Sequence, residues 1–174
     1  LLLAVRTRIG RRLLGGLLAL IVAAGCQSQP QARELPDSQA LEGLYGNRAT
    51  ASLNGNVVDV RVRQDPDHLQ RGGPLWAKVG PYIFLFSPQT QEIFTRYDGV
   101  AAVRVRTVTG RDSWVAEATL HRDALNAITW KDAVRTVARA RKQGTDKPGY
   151  LEDLVEFGED RTDHRYNDSY TTPS

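Results

Sequence analysis

The sequence feature that most constrains this chain is an apolar segment near its N-terminus. Residues 13–25 consist only of Leu, Ile, Val, Ala and Gly, and four arginines precede them (Arg6, Arg8, Arg11 and Arg12). A positive region followed by a short apolar region and small residues is the organisation of a secretory signal peptide. The segment is shorter than the roughly 20 apolar residues of a membrane-spanning helix. We therefore predict that residues 1–25 are a signal peptide and take no part in the folded domain.

Small residues lead from this segment into Cys26, the only cysteine of the chain. The sequence Ala-Ala-Gly-Cys at residues 23–26 resembles the lipobox of bacterial lipoproteins. The resemblance implies that the Cys26 thiol receives a diacylglyceryl group and that Cys26 becomes the new N-terminus after cleavage. Two alternatives stay open: an ordinary cleavage site that contains a cysteine, and a twin-arginine signal at Arg11 and Arg12.

A lipidated Cys26 would anchor the protein in a bacterial membrane and expose it to the periplasm or the exterior. Gln27 follows the cysteine, and the absence of aspartate at this position weakly favours the outer membrane. The choice between the two membranes stays open. The expected partners are the membrane, through the anchor, and a protein of the cell envelope.

Removal of residues 1–25 leaves 149 residues, which is the size of one domain. It also removes four of the 23 basic residues, so that 19 remain against 20 acidic ones, and nucleic acid is not an expected partner. Residues 27–40 are polar and contain two prolines, so we interpret residues 26–40 as the lipidated cysteine and a flexible tether. Residues 41–166 are then a single globular domain, and residues 167–174 are expected to fray.

Alternating apolar residues and turn sequences predict strands from residue 48 onward. The runs 48–53 and 57–63 flank an Asn-Gly turn, which is typical of a β-hairpin. The runs 100–109 and 114–120 predict a second hairpin. Residues 82–86, Tyr-Ile-Phe-Leu-Phe, are apolar on both faces and predict a central strand. Two further short strands are expected (residues 75–79, and residues 163–166 at an edge).

Capping residues predict two helices. Ser87, followed by proline, is the expected N-cap of the first, which ends at residues 98–99, Asp-Gly. Thr129 is the expected N-cap of an amphipathic helix, with Asp132 in the position of a capping box. This helix is expected to end at Gly144.

A third, shorter helix is expected at residues 150–157, with Gly158 as its end. Together the elements predict an α+β fold. The fold is an antiparallel sheet of about five strands, made of two hairpins and a central apolar strand, and packed on one face by two or three helices. The three tryptophans lie beside apolar runs and are expected in the core (Trp76, Trp114 and Trp130).

The sequence contains no motif of the common catalytic types. Its three histidines are scattered and lack the spacing of a metal site (His68, His121 and His164). The acidic residues near the C-terminus lack the spacing of a calcium loop. We therefore expect no cofactor, no metal and no enzymatic activity. A hydrolase whose histidines and carboxylates are assembled only by the fold stays a third hypothesis.

Charged residues supply the candidate binding sites. Four arginines lie on the polar faces of two predicted strands and form a basic surface if those strands are neighbours (Arg61, Arg63, Arg104 and Arg106). A basic helix and an acidic C-terminal segment are the other candidates (Arg135 and Arg139; Glu156, Glu159, Asp160 and Asp163). The acidic segment either folds back on the basic helix, or both face outward towards a partner. We favour the second arrangement, which predicts that removal of the residues after Gly158 leaves the stability nearly unchanged.

Two hypotheses for the function follow. The first is a lipid-anchored, non-catalytic accessory or assembly subunit that docks on a membrane protein complex of the bacterial envelope. The second is a binding module for an anionic envelope ligand, either a lipid headgroup or a cell-wall polymer, which the arginine-lined strand face would hold.

Overall fold

The computed structural model describes residues 33–64, 66–110 and 112–172. The predicted signal peptide, Cys26 and the first part of the predicted tether lie outside these residues, as does the side chain of His68. The described chain forms five strands (β1 Ala49–Asn54, β2 Val57–Arg63, β3 Ala102–Val108, β4 Trp114–His121 and β5 Asp163–Tyr166). It also forms α-helices (α1 Ser38–Leu41, α2 Pro66–Leu85, α3 Pro88–Arg96, α4 Ala127–Gln143, α5 Gly149–Glu159 and α6 Asp168–Thr171).

The strands form one sheet in the order β1-β2-β3-β4-β5. The pairs β1–β2, β3–β4 and β4–β5 are antiparallel, whereas β2 and β3 are parallel. The α+β class, both hairpins and the edge strand β5 are therefore confirmed. The sheet is mixed rather than purely antiparallel, and a crossover has to join β2 to β3 because a tight turn cannot connect parallel strands.

The predicted central strand at residues 82–86 is wrong, and so is the short strand at residues 75–79. These residues form α2 and the start of its connection to α3, which together make the crossover. The buried residues Trp76, Val79 and Tyr82 recur every three positions, as on one face of a helix. Gly73 interrupts α2 with a φ of +54°, a conformation that glycine adopts without steric cost.

One face of the sheet carries the core. Alternate valines of β2 and β3 point to this face and are almost fully buried (Val58, Val60, Val62, Val103 and Val105). Helix α2 packs on β3 and β4, and α5 packs on α2. Gly158 lies inside α5, so its predicted role as the end of that helix is wrong. A Cβ atom at this position would lie 2.5 Å from the ring of Tyr82, so only glycine lets the two helices approach this closely.

The N-cap of α4 is Asn126, three residues before the predicted Thr129. The Asn126 carboxamide oxygen accepts hydrogen bonds from backbone N–H groups two and three residues later, at 2.9 and 3.0 Å. Asp132 does not complete a capping box and instead pairs with Arg135. Gly144 ends α4 as predicted, and Ser87 is the N-cap of α3 as predicted.

The folded domain begins before residue 41. The backbone N–H of Glu34 donates to the Asp98 carboxylate at 2.7 Å, and the Glu34 carbonyl accepts from the N–H of Gly99 at 2.8 Å. Asp37 caps α1, and Leu41 is only 1% exposed. Residues 34–40 therefore belong to the domain, and only the part of the predicted tether before them can act as a spacer.

Residues 167–172, which were expected to fray, are folded. The N–H of Asn167 donates to the Val115 carbonyl at 2.9 Å, and its side-chain amide donates to the Trp114 carbonyl at 2.8 Å. Asn167 caps α6, which contacts α2 and buries Thr171. Tyr166 in β5 reaches the hydroxyl of Tyr82 at 2.5 Å. These contacts contradict the expectation that the residues after Gly158 contribute little to stability.

We expect truncation after Gly158 to lower the melting temperature by about 10 °C or more, because it removes several kcal/mol of contacts from a domain of this size. The deletion removes β5, the hydrogen bond between the hydroxyls of Tyr166 and Tyr82, and the packing of α6 on α2. Circular dichroism during heating measures the effect. Deletion of residues 172–174 is the matched control and should leave the melting temperature unchanged. Equal melting temperatures for the two truncated chains would contradict the structural role of the C-terminus.

Candidate functional site: the open face of the sheet

The face of the sheet that points away from the core is polar and rich in arginine. We call it the open face and define it by its main side chains (Asp59, Arg61, Arg63, Arg104, Arg106, Trp114, Glu117 and Arg165). The parallel pairing of β2 with β3 places Arg61 beside Arg106. The structure thus brings the four arginines singled out from the sequence together on one surface. Their role in binding stays a prediction.

Glu117 lies at the centre of the open face. Its carboxylate accepts a hydrogen bond from the Arg106 Nε at 2.6 Å and another from the Arg165 Nε at 2.8 Å. The side chain of Glu117 is only 10% exposed, whereas those of Arg106 and Arg165 are 44% and 61% exposed. One buried carboxylate therefore holds two arginine side chains in fixed positions while their guanidinium groups remain accessible to a partner.

Two further ion pairs involve the neighbouring arginines. Arg104 lies 3.5 Å from the Asp59 Oδ1, an oxygen that accepts no hydrogen bond in the described residues. Arg61 lies 3.0 Å from Asp112, in the loop between β3 and β4. The basic surface expected from the sequence is therefore a mosaic of both charges, because most of its arginines have carboxylate neighbours. Such a surface favours a partner whose charges match this pattern over a partner that is merely negatively charged.

Trp114 adds an aromatic side chain to the open face. It is 38% exposed, which corrects the prediction that all three tryptophans lie in the core. The Arg165 guanidinium lies 5.6 Å from the Trp114 ring, within the range of a cation–π interaction. Trp and Arg are the residue types that contribute most often to binding hot spots in protein interfaces.

The sequence did not indicate Glu117, Trp114 or Arg165 as site residues. Trp114 and Glu117 are three positions apart, so simple alternation along β4 would place them on opposite faces. An irregularity in the pairing of β4 with β3 brings both to the open face, and the pairing of β5 with β4 aligns Arg165 with Glu117. Neither pairing could be read from the sequence. Asp163, one of the predicted acidic residues, lies at the opposite end of this face. Its carboxylate is 2.9 Å from the Nε2 of His121, and both side chains are exposed.

The other predicted charged residues are not assembled into one site. Arg135 pairs with Asp132 on the surface of α4, and Arg139 lies over the ring of Tyr150. Glu156 is exposed on α5, and Asp160 lies 3.5 Å from the neighbouring Arg161. Within residues 112–172, no ion pair joins the basic segment of α4 to the acidic segment that follows it. The acidic segment therefore does not fold back on the basic helix through salt bridges.

Glu159 lies beside the buried Tyr82 and the partly buried Tyr166 instead of on a binding surface. Burial is the main reason that the pKa of Tyr82 is raised to about 12, and the negative charge of Glu159 contributes to this shift. Burial is also the main cause of a raised pKa for Tyr166, followed by the contact with Tyr82. Both hydroxyls stay protonated at neutral pH, so this pair ties β5 to α2 and is not suited to proton transfer.

No family model, curated protein or solved structure matches this chain. None of the helices in the described residues is long and apolar enough to cross a membrane. Within the same residues, no group of three or more His, Cys, Asp or Glu side chains has the arrangement of a metal site. Among the described residues, the open face is the best-defined candidate site, because Glu117 holds two of its arginines beside an exposed tryptophan.

We expect Glu117→Ala to cost about 1–3 kcal/mol of folding free energy, because it removes charged hydrogen bonds to a buried carboxylate. The control is Asp132→Ala, which breaks an exposed pair on α4 and should change the stability by about 0.5 kcal/mol or less. Urea unfolding followed by tryptophan fluorescence measures both variants. Similar losses for the two would show that Glu117 does not organise the open face.

Proposed function

We propose that the protein is a lipid-anchored, non-catalytic subunit of the bacterial cell envelope that docks on a protein partner through the open face. The observation that carries the proposal is the set of arginines that Glu117 holds in place beside an exposed tryptophan. Side chains that are already ordered lose little conformational entropy when a partner binds, which favours a specific interface.

The mixed charge of the open face favours a protein over a uniformly anionic polymer. Asp59, Glu117 and Asp163 lie among the arginines, so a polymer with an unbroken row of negative charges would approach carboxylates as well as guanidinium groups. A folded protein can present acidic residues opposite the arginines and basic or neutral residues opposite the carboxylates. The partner expected from this pattern has a mixed surface with an excess of acidic residues.

The proposed anchor restricts where such a partner is found. Cys26 would be attached to the membrane, and the folded domain begins near Glu34, only a few residues later. Even fully extended, the eight residue steps from Cys26 to Glu34 span at most about 29 Å, so the domain would stay close to the membrane surface. The partner should therefore be a membrane protein or a protein held at the same surface.

Site-specific photo-crosslinking in living cells tests the docking proposal. We expect a photoreactive phenylalanine at position 114 to form a discrete adduct with a protein. We expect the same residue at Ile128, which is 72% exposed on α4, to form none. Adding Arg165→Glu should reduce the adduct at position 114 at least fivefold, whereas adding Arg135→Glu should not. An adduct with a lipid or a cell-wall polymer would instead support the alternative function, a module that binds an anionic ligand.

Metabolic labelling with a tritiated fatty acid tests the anchor. We expect the unchanged chain to incorporate the label and the Cys26→Ala variant to lose it, because the thiol is the only acceptor that the lipobox resemblance implies. The variant should either stay an unprocessed precursor or leave the membrane fraction, since no acyl chain anchors it. Label that survives the substitution would refute the lipoprotein proposal.

A further inference from the structure

A cavity of about 340 Å³ lies away from the centre of the open face, where the C-terminal ends of β2 and β3 meet α2 and the last turn of α4. Its size is within the range of small-molecule sites, roughly 300–1,000 Å³. The walls are mostly apolar (Val62, Trp76, Ile83, Phe84 and Thr107). Ile83 and Phe84 are only half-buried, although they lie on the central helix of the core, because they face this cavity.

Arginines surround the same cavity. Arg63 and Arg141 line it from two different elements, β2 and α4, and Arg48 lines it as well. Neither Arg63 nor Arg141 makes an ion pair within the described residues. The arginines at the centre of the open face, by contrast, are all paired with carboxylates. The two uncompensated guanidinium groups therefore lie where an apolar cavity opens to solvent.

Gln64 places an unsatisfied acceptor in the wall of the cavity. Its amide Nε2 donates to the Trp76 carbonyl at 2.5 Å, which fixes the side chain. Its Oε1 is buried and has no hydrogen-bond partner in the described part of the chain. A buried carbonyl oxygen without a donor is rare in folded proteins. The oxygen has almost no accessible surface, so a ligand hydroxyl would satisfy it only after a small movement of the cavity wall.

We infer that this cavity binds a single-chain lysophospholipid. The acyl chain would lie against Ile83, Phe84 and Trp76, and the anionic phosphate would bind between Arg63 and Arg141. The glycerol hydroxyl would donate to the Gln64 Oε1. An ionised fatty acid offers the charge but no hydroxyl donor, and a neutral monoacylglycerol offers the hydroxyl but no charge. This site uses residues other than Trp114, Glu117 and Arg165, so it does not depend on the docking proposal.

Photo-labelling of the full, lipid-anchored chain tests the inference. The protein is reconstituted in phosphatidylcholine vesicles and exposed to a lysophosphatidate whose acyl chain carries a diazirine. We expect the label on the two adjacent tryptic peptides that line the cavity, one with Trp76 and one with Ile83 and Phe84. An Arg63→Gln/Arg141→Gln double variant should reduce this labelling at least fivefold, because the phosphate loses both cations. The control Arg135→Gln, on the exposed surface of α4, should leave it within twofold.

A second variant and two competing ligands test whether the labelling reports binding in the cavity. Ile83→Trp fills the cavity with both arginines retained, and it should also reduce the labelling, while circular dichroism confirms that each variant is folded. Unlabelled lysophosphatidylglycerol should compete at a lower concentration than palmitate. Labelling of equal strength by a neutral diazirine monoacylglycerol, labelling that survives the double variant, or a label spread over other peptides would overturn the inference.

Discussion

The parallel pairing of β2 with β3 is the constraint on which the rest of the structure depends. Parallel strands need a crossover, and here the crossover contains α2 and α3. Helix α2 packs on the core face of the sheet against β3 and β4. Helix α2 then becomes the element to which the others attach: α5 packs on it at Gly158, and β5 reaches it through Tyr166. The same pairing aligns the outward arginines of the two strands on the opposite face.

Part of the fold could be predicted from short-range features of the sequence. The Asn-Gly turn, the Ser87 cap and the alternation along residues 57–63 act over a few residues, and each is confirmed. Other local signals were misleading, as the expected cap at Thr129 and the expected helix end at Gly158 show. The run Tyr-Ile-Phe-Leu-Phe at residues 82–86 is compatible with a strand and with a helix, because a short continuous apolar run shows no period. Pro81 immediately before it does not decide between the two, since proline is tolerated as the first residue of a strand and here lies inside α2.

The candidate site, too, could be predicted only in part from the sequence. Alternation identified Arg61 and Arg106 as outward-facing, but nothing local reveals which arginines are committed to structural contacts. Arg122 is an example: its guanidinium donates to the carbonyls of Val100, Phe94 and Tyr97 and so completes the end of α3. Arg165 is another, because it meets Glu117 across strands that are 48 residues apart in sequence. In an arginine-rich chain, the arginines without a carboxylate neighbour are the better candidates for binding a ligand. Only the tertiary structure identifies them.

The position of β5 and α6 has a consequence for how the domain folds. These two elements follow all the others in the described chain, yet they contact α2 and β4 and supply the hydroxyl partner of the fully buried Tyr82. The β2–β3 contacts, which enclose a crossover, also form slowly compared with local ones. Both the sheet and the cover of α2 are therefore completed by contacts between distant parts of the chain, so the N-terminal half of the domain cannot close the core by itself.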